Sequence, residues 1–152
     1  MKKVVSTVGV VALSLSLSLV ALAAGASGKT HQVSATLKAS ADVPKPKGAA
    51  GAKGTFSGSY VENANNTAVL KWKLTFTGLT GPALQAHIHL GKPGVAGNVL
   101  VPLCAPCKNG MTGTSKLSHS IVNALHSGGT YVNVHTKKNP AGEIRGQIKV
   151  TD

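Results

Sequence analysis

From residue 31 onward, apolar side chains return at every second position in short runs, and each run ends in glycine, proline or asparagine. The run from Ala68 to Thr77 is the clearest, with Leu70, Trp72, Leu74 and Phe76 on one side. A period of two sends alternate side chains to opposite faces of a strand, so such a run buries one face. His31–Ala39 repeats the pattern with Val33, Ala35 and Leu37, and Thr55–Val61, Leu84–Leu90, Asn98–Leu103, Tyr131–Thr136 and Glu143–Val150 follow. Between them lie PKPKGAAGAKG at 44–54, ENANNT at 62–67, a turn at 78–82, GKPGVAG at 91–97 and KKNPAG at 137–142. These residue types tolerate turn backbones. In the last run Ile144, Ile148 and Val150 oppose Glu143, Arg145, Gln147 and Lys149. One helix is predicted over about 117–127, where Leu117, Ile121, Ala124 and Leu125 share a face, Ser118 stands as N-cap and Gly128-Gly129 stops it. At least seven strands and one short helix predict an all-β sandwich or barrel of about 7–8 strands.

The first residues do not fit that pattern. Lys2 and Lys3 precede an uncharged stretch from Val4 to Leu22, and small residues follow in Ala21-Leu22-Ala23 and Ala24-Gly25-Ala26. This is the three-part form of a secretory leader, with cleavage expected between Ala23 and Ala26. Ser14, Ser16 and Ser18 dilute the stretch and argue against a retained anchor. Residues 1–26 therefore read as a signal peptide, and the rest as one exported domain, periplasmic or secreted, with no transmembrane anchor after cleavage.

Removing Lys2 and Lys3 lowers the formal charge of +12 by two, and the remainder is still a strong positive field. Anionic envelope or extracellular polymers are the expected partners. Nucleic acid is not, because Arg145 is the one arginine and the chain has five aromatic rings for stacking.

His87 and His89 form an H-x-H pair whose rings project from the same face of a strand, about 6.5–7 Å apart along it. In Tyr131–Thr136 the apolar Val132 and Val134 mark the core face, so Tyr131, Asn133 and His135 point away from it. If the two strands are close, His87, His89 and His135 converge under the 91–97 or 137–142 loop. Three neutral imidazoles can hold copper or zinc with an open position. Glu143, outward by the same parity, is a candidate fourth ligand or second-layer partner. The competing reading makes these histidines hydrogen-bonding groups, with Tyr131, Asn133 and Arg145 in a polar network. Arg145 beside Glu143 reads as an ion pair. Cys104 and Cys107 form C-x-x-C, which in an exported chain reads as a local disulfide. A redox pair would open a helix, whereas Lys108-Asn109-Gly110 reads as a turn. There is no phosphate-binding glycine loop and no G-x-S-x-G, and with Glu62 and Glu143 as the two glutamates, paired-carboxylate hydrolysis is excluded.

Three segments carry a family resemblance: AHIHLGKPGVAGNVLVPL at 86–103, LHSGGTYVNVHT at 125–136 and NPAGEIRGQI at 139–148. In content, order and spacing they resemble the CHRD domain, named from chordin, over about Lys29 to Val150. The resemblance implies an immunoglobulin-like, Greek-key β-fold and an exported protein, and implies little about activity. The CAPCKNG segment at 104–110 departs from the family pattern. The H-x-H strand is also similar to that of copper–zinc superoxide dismutase. That enzyme needs a second histidine cluster and an aspartate soon after. Here the next histidine is His119, and Asp42 and Asp152 are the aspartates, so no bridged two-metal site is expected. The leading expectation is a non-enzymatic binding or structural module with a basic surface. The alternatives are a mononuclear copper or zinc protein using His87, His89 and His135, and a thiol–disulfide protein using Cys104 and Cys107.

Overall fold

A computed structural model describes residues 28–152, so the leader expected at residues 1–26 lies outside the described residues. Nine strands are present: β1 (Thr30–Lys38), β2 (Lys53–Val61), β3 (Ala68–Thr77), β4 (Ala83–Leu90), β5 (Val99–Cys104), β6 (Met111–Leu117), β7 (Thr130–Thr136), β8 (Ile144–Gln147) and β9 (Lys149–Thr151). A helix, α1 (His119–His126), lies between β6 and β7. The strands form one antiparallel sheet in the order β5-β4-β7-β8-β1-β2-β3-β6, with β9 also on β1. Its two ends, β5 and β6, come near each other, so the sheet curls into a nearly closed barrel.

The expected alternation becomes the core. Leu37, Phe56, Leu70, Leu74, Ile88, Val132, Val134 and Ile144 are buried inside the barrel. Burying one such large apolar side chain stabilises by roughly 1.5–3 kcal/mol relative to leaving it exposed. Val122 and Leu125 of α1 join this core.

Three expectations about where the elements lie need correction. Strand β6 was absent from the pattern, because its inward positions include Gly113 and Ser115 rather than aliphatic residues. Trp72 on β3 fills that space and donates from its indole Nε1 to Ser115 Oγ at 3.1 Å. A Cβ at Gly113 would lie 2.4 Å from the Trp72 ring, so the close approach requires glycine. Second, Leu117 ends β6 rather than opening the helix. Ser118 is the N-cap residue by position, but its side chain makes no cap bond. Third, the last run is two strands divided at Ile148, whose N–H turns aside to Thr130 O at 2.9 Å.

Strand β7 is buried along its whole length. Val132 and Val134 face the core as expected. The other side of β7 was expected to be outward, but it is roofed by the 91–98 loop, the 137–142 turn and the segment near Asp42. That roof creates the site.

Candidate functional site

Strand β4 pairs with β7 so that His87 stands opposite Asn133 and His89 opposite Tyr131. His135 lies further along β7, on the same face. The three imidazoles meet there, with ring centres 5.1 Å apart for His87 and His135, 5.7 Å for His89 and His135, and 5.5 Å for His87 and His89. One ligand atom from each lies within 4.8 Å of the other two. His89 and His135 are buried and His87 is half-buried.

Backbone carbonyls fix the protonation of two rings. His89 Nδ1 lies 3.0 Å from Gly97 O, and His135 Nδ1 lies 3.0 Å from Pro140 O. A carbonyl only accepts, so Nδ1 donates in both and each neutral ring keeps its lone pair on Nε2. His89 Nε2 is buried with no hydrogen-bond partner. His135 Nε2 lies 3.3 Å from His87 Nδ1. Burial pushes all three rings below the ordinary histidine range. For His135 burial outweighs the Pro140 hydrogen bond, the other two rings add to it, and the value falls to about 4. The cluster is therefore neutral at neutral pH and offers lone pairs rather than positive charge.

The stack beneath is polar. Tyr131 lies parallel to His89, with ring centres 5.0 Å apart and planes at 9°. Its hydroxyl accepts from Gly97 N–H at 3.1 Å. Arg145, on β8, is buried against the Tyr131 ring and donates from Nη2 to Lys92 O at 2.8 Å. Asn133 donates from Nδ2 to Asp42 Oδ1 at 3.1 Å. Tyr131, Asn133 and Arg145 thus form a buried layer beside the histidines, on the neighbouring strands β7 and β8.

Glu143 does not join the histidines. It lies just before β8, and its carboxylate accepts from Thr80 N and Oγ1, Thr136 Oγ1 and Asn139 Nδ2. Burial raises its pKa, but those donors more than offset it and hold the group below the ordinary range. No ion pair links Glu143 and Arg145 among the described residues; the guanidinium rests on Tyr131 instead.

A family model described as CHRD domain matches residues 33–148. The chain belongs to the CHRD-domain family. No curated protein and no solved structure matches it. The matched span of this CHRD domain contains His87, His89 and His135 as well as the cysteine pair. Cys104 and Cys107 are joined as a disulfide, in the connection from β5 to β6 where the sheet fails to close. Cys107 N–H bonds Ala83 O and Gly110 N–H bonds Leu74 O, so a turn rather than a helix follows the pair.

The CHRD domain has a second cluster that the sequence reading missed. Glu62 Oε1 lies 2.5 Å from His126 Nε2 and 3.3 Å from His31 Nε2, and His31 Nδ1 reaches Asp152 Oδ1 at 2.7 Å. His31 shares the parity of Val33, Ala35 and Leu37, so its inward position was legible in the run. The approach of His126 to it, across 95 positions of chain, was not. The contacts of Glu62 with both imidazoles tie β1 to α1. No helix among the described residues is long and apolar enough to cross a membrane.

Proposed function

We propose that this CHRD domain is an exported, non-enzymatic module that binds one copper or zinc ion through His87 Nδ1, His89 Nε2 and His135 Nε2. The observation that carries this is the 3.3 Å between His87 Nδ1 and His135 Nε2 beside a buried His89 Nε2 that has no partner. Two metal–nitrogen bonds of about 2.0–2.1 Å at a tetrahedral angle separate their nitrogens by about 3.3–3.4 Å. Without an ion, a buried imidazole nitrogen lacking a partner costs on the order of 1–3 kcal/mol. The carbonyls of Gly97 and Pro140 supply the orienting layer that metal-binding histidines use.

Three imidazoles leave a further position, reached past the half-buried His87. Copper(II) is expected to bind more tightly than zinc, following the general order for nitrogen ligands. Among the described residues no carboxylate joins the three rings, and Glu143 accepts from Thr80, Thr136 and Asn139 instead, which supports binding rather than carboxylate-assisted hydrolysis. Export is supported by the leader pattern and by the oxidised cysteine pair, which suits an oxidising compartment.

Metal analysis of protein purified without chelator, followed by titration of the stripped protein with copper(II) and zinc, tests this. One equivalent is expected in the wild type and in His119→Ala, and none in His89→Ala or His87→Ala. Absence of a stoichiometric site in the wild type, or its survival in both variants, overturns the reading.

A further inference from the structure

Six of the lysines that look scattered along the chain gather on one surface. Pairing of β9, β1, β2, β3 and β6 aligns their outward positions into rows across five strands. One row reads Lys149, Ser34, Ser57, Lys73, Thr112. The neighbouring row places Lys71 between Ser59 and Thr114. Towards one end Thr55 and Thr75 face each other with their hydroxyls 2.7 Å apart, and Lys53 lies opposite Lys38. Lys38, Lys53, Lys71, Lys73, Lys116 and Lys149 are all exposed. Strands pair about 4.7–4.9 Å apart and same-face residues follow every 6.5–7 Å, so these rows make a regular grid of ammonium and hydroxyl groups, which gives way to exposed Val61 and Val69 at the Lys116 end.

No carboxylate interrupts the grid. The chain has four acidic residues. Asp42 and Glu143 are buried, Glu62 bridges His31 and His126, and Asp152 is held by Lys29 and His31. The grid also lacks aromatic rings: Phe56, Tyr60, Trp72 and Tyr131 are buried, and Phe76 packs against the core.

We infer that this face is the docking surface for a linear anionic polysaccharide, a surface separate from the histidine cluster on β4 and β7. Charge complementarity supplies the attraction, since a positive field without local acids draws a polyanion. The serine and threonine hydroxyls between the lysines match the hydrogen-bonding edges of sugar rings. The missing arginines and stacking rings count against single-stranded nucleic acid, which such proteins hold by stacking. A neutral glycan would want exposed rings and gains nothing from six lysines.

Binding of the full chain to sulfated and carboxylated polysaccharides, to neutral dextran and to single- and double-stranded DNA tests this, with salt varied. Lys71→Glu/Lys73→Glu carries the same charge change as Lys137→Glu/Lys138→Glu, a pair off the grid. Binding to both polyanionic glycans is expected, with affinity falling about tenfold in the first variant and less than about threefold in the second at physiological salt. The melting temperature of each variant confirms that it folds. Equal losses in the two variants would assign binding to net charge alone and overturn the inference. Tighter binding to either DNA, or retention that ignores salt, would overturn it as well.

Discussion

The Arg145 guanidinium lies 3.4 Å from the centre of the Tyr131 ring. A buried cation is thus seated on an aromatic face, with Lys92 O as its hydrogen-bond acceptor, and Tyr131 in turn stacks with His89. A desolvated cation–aromatic contact contributes about 2 kcal/mol, and lysine cannot reproduce the planar stacking of a guanidinium. Arg145→Lys should lower unfolding free energy by about 1–3 kcal/mol. Urea denaturation of both proteins checks this, and equal midpoints would show that the stack does not hold the strand.

The fold was largely legible because strand parity is local. Leu70, Trp72 and Leu74 need only their own neighbours to declare an inward face. Strand β6 was not legible, because what fills its inward side is Trp72 from another strand. The same limit applies to the site. Parity put His87, His89 and His135 on the side away from the core, but whether that side meets water depends on a roof of loops. Glu143 shows where parity ends: the carboxylate lies outside the regular strand, and Thr80, Thr136 and Asn139 claim it. Loop carbonyls such as Gly97 O and Pro140 O leave no trace in residue type.

Gly97 is the tightest point of that roof. A Cβ there would lie 1.7 Å from Leu90 O, while its own carbonyl receives His89 and its N–H reaches Tyr131. Gly97→Ala must displace the loop and turn His89. We expect about 1–3 kcal/mol of destabilisation and a 10–100-fold loss of copper or zinc affinity. Calorimetric titration beside thermal melting checks both, and unchanged affinity would show that the carbonyl does not orient the ring.

Glu143→Gln replaces a carboxylate that accepts from Thr80, Thr136 and Asn139 with an amide that must turn a donor towards them. Hydrogen bonds to a buried charge are worth about 1.5–3 kcal/mol, so the variant should lose about that much. Hydrogen exchange should also quicken at the amides of Asn139, which donates to Thr136 Oγ1, and Gly142, which donates to Asn139 O. Unaltered exchange there would mean that the turn holds without the carboxylate.

Cys104→Ser/Cys107→Ser opens a bridge with a sequence separation of 3. Chain-entropy reasoning gives a loop this short about 2 kcal/mol or less. The variant should fold, melt a few degrees lower and keep its full metal equivalent, since the histidines sit on β4 and β7. Loss of the metal equivalent with the fold intact would tie the pair to the histidine site.

Asp42 gives a pH dependence of unusual sign. Burial raises its pKa from 3.8 to about 6, against the hydrogen bonds from Val43 N–H and Asn133 and the attraction of Arg145 and Lys45. Between these two values the folded protein keeps a proton that the unfolded chain has released. Stability from this group is therefore greatest below about pH 4 and falls as pH rises through about 6, by about 3 kcal/mol at most. Asp42→Asn removes the titration while keeping an acceptor at the Oδ1 position; its amide nitrogen replaces Oδ2, which has no partner. The variant should gain on the wild type steadily from pH 4 to pH 7 in urea unfolding. Glu143, with its depressed pKa, titrates in both proteins with the opposite slope at lower pH and cancels in the difference. A difference that stays flat across this range, or that grows in favour of the wild type, would mean that the buried carboxyl is already ionised in the folded protein at pH 4.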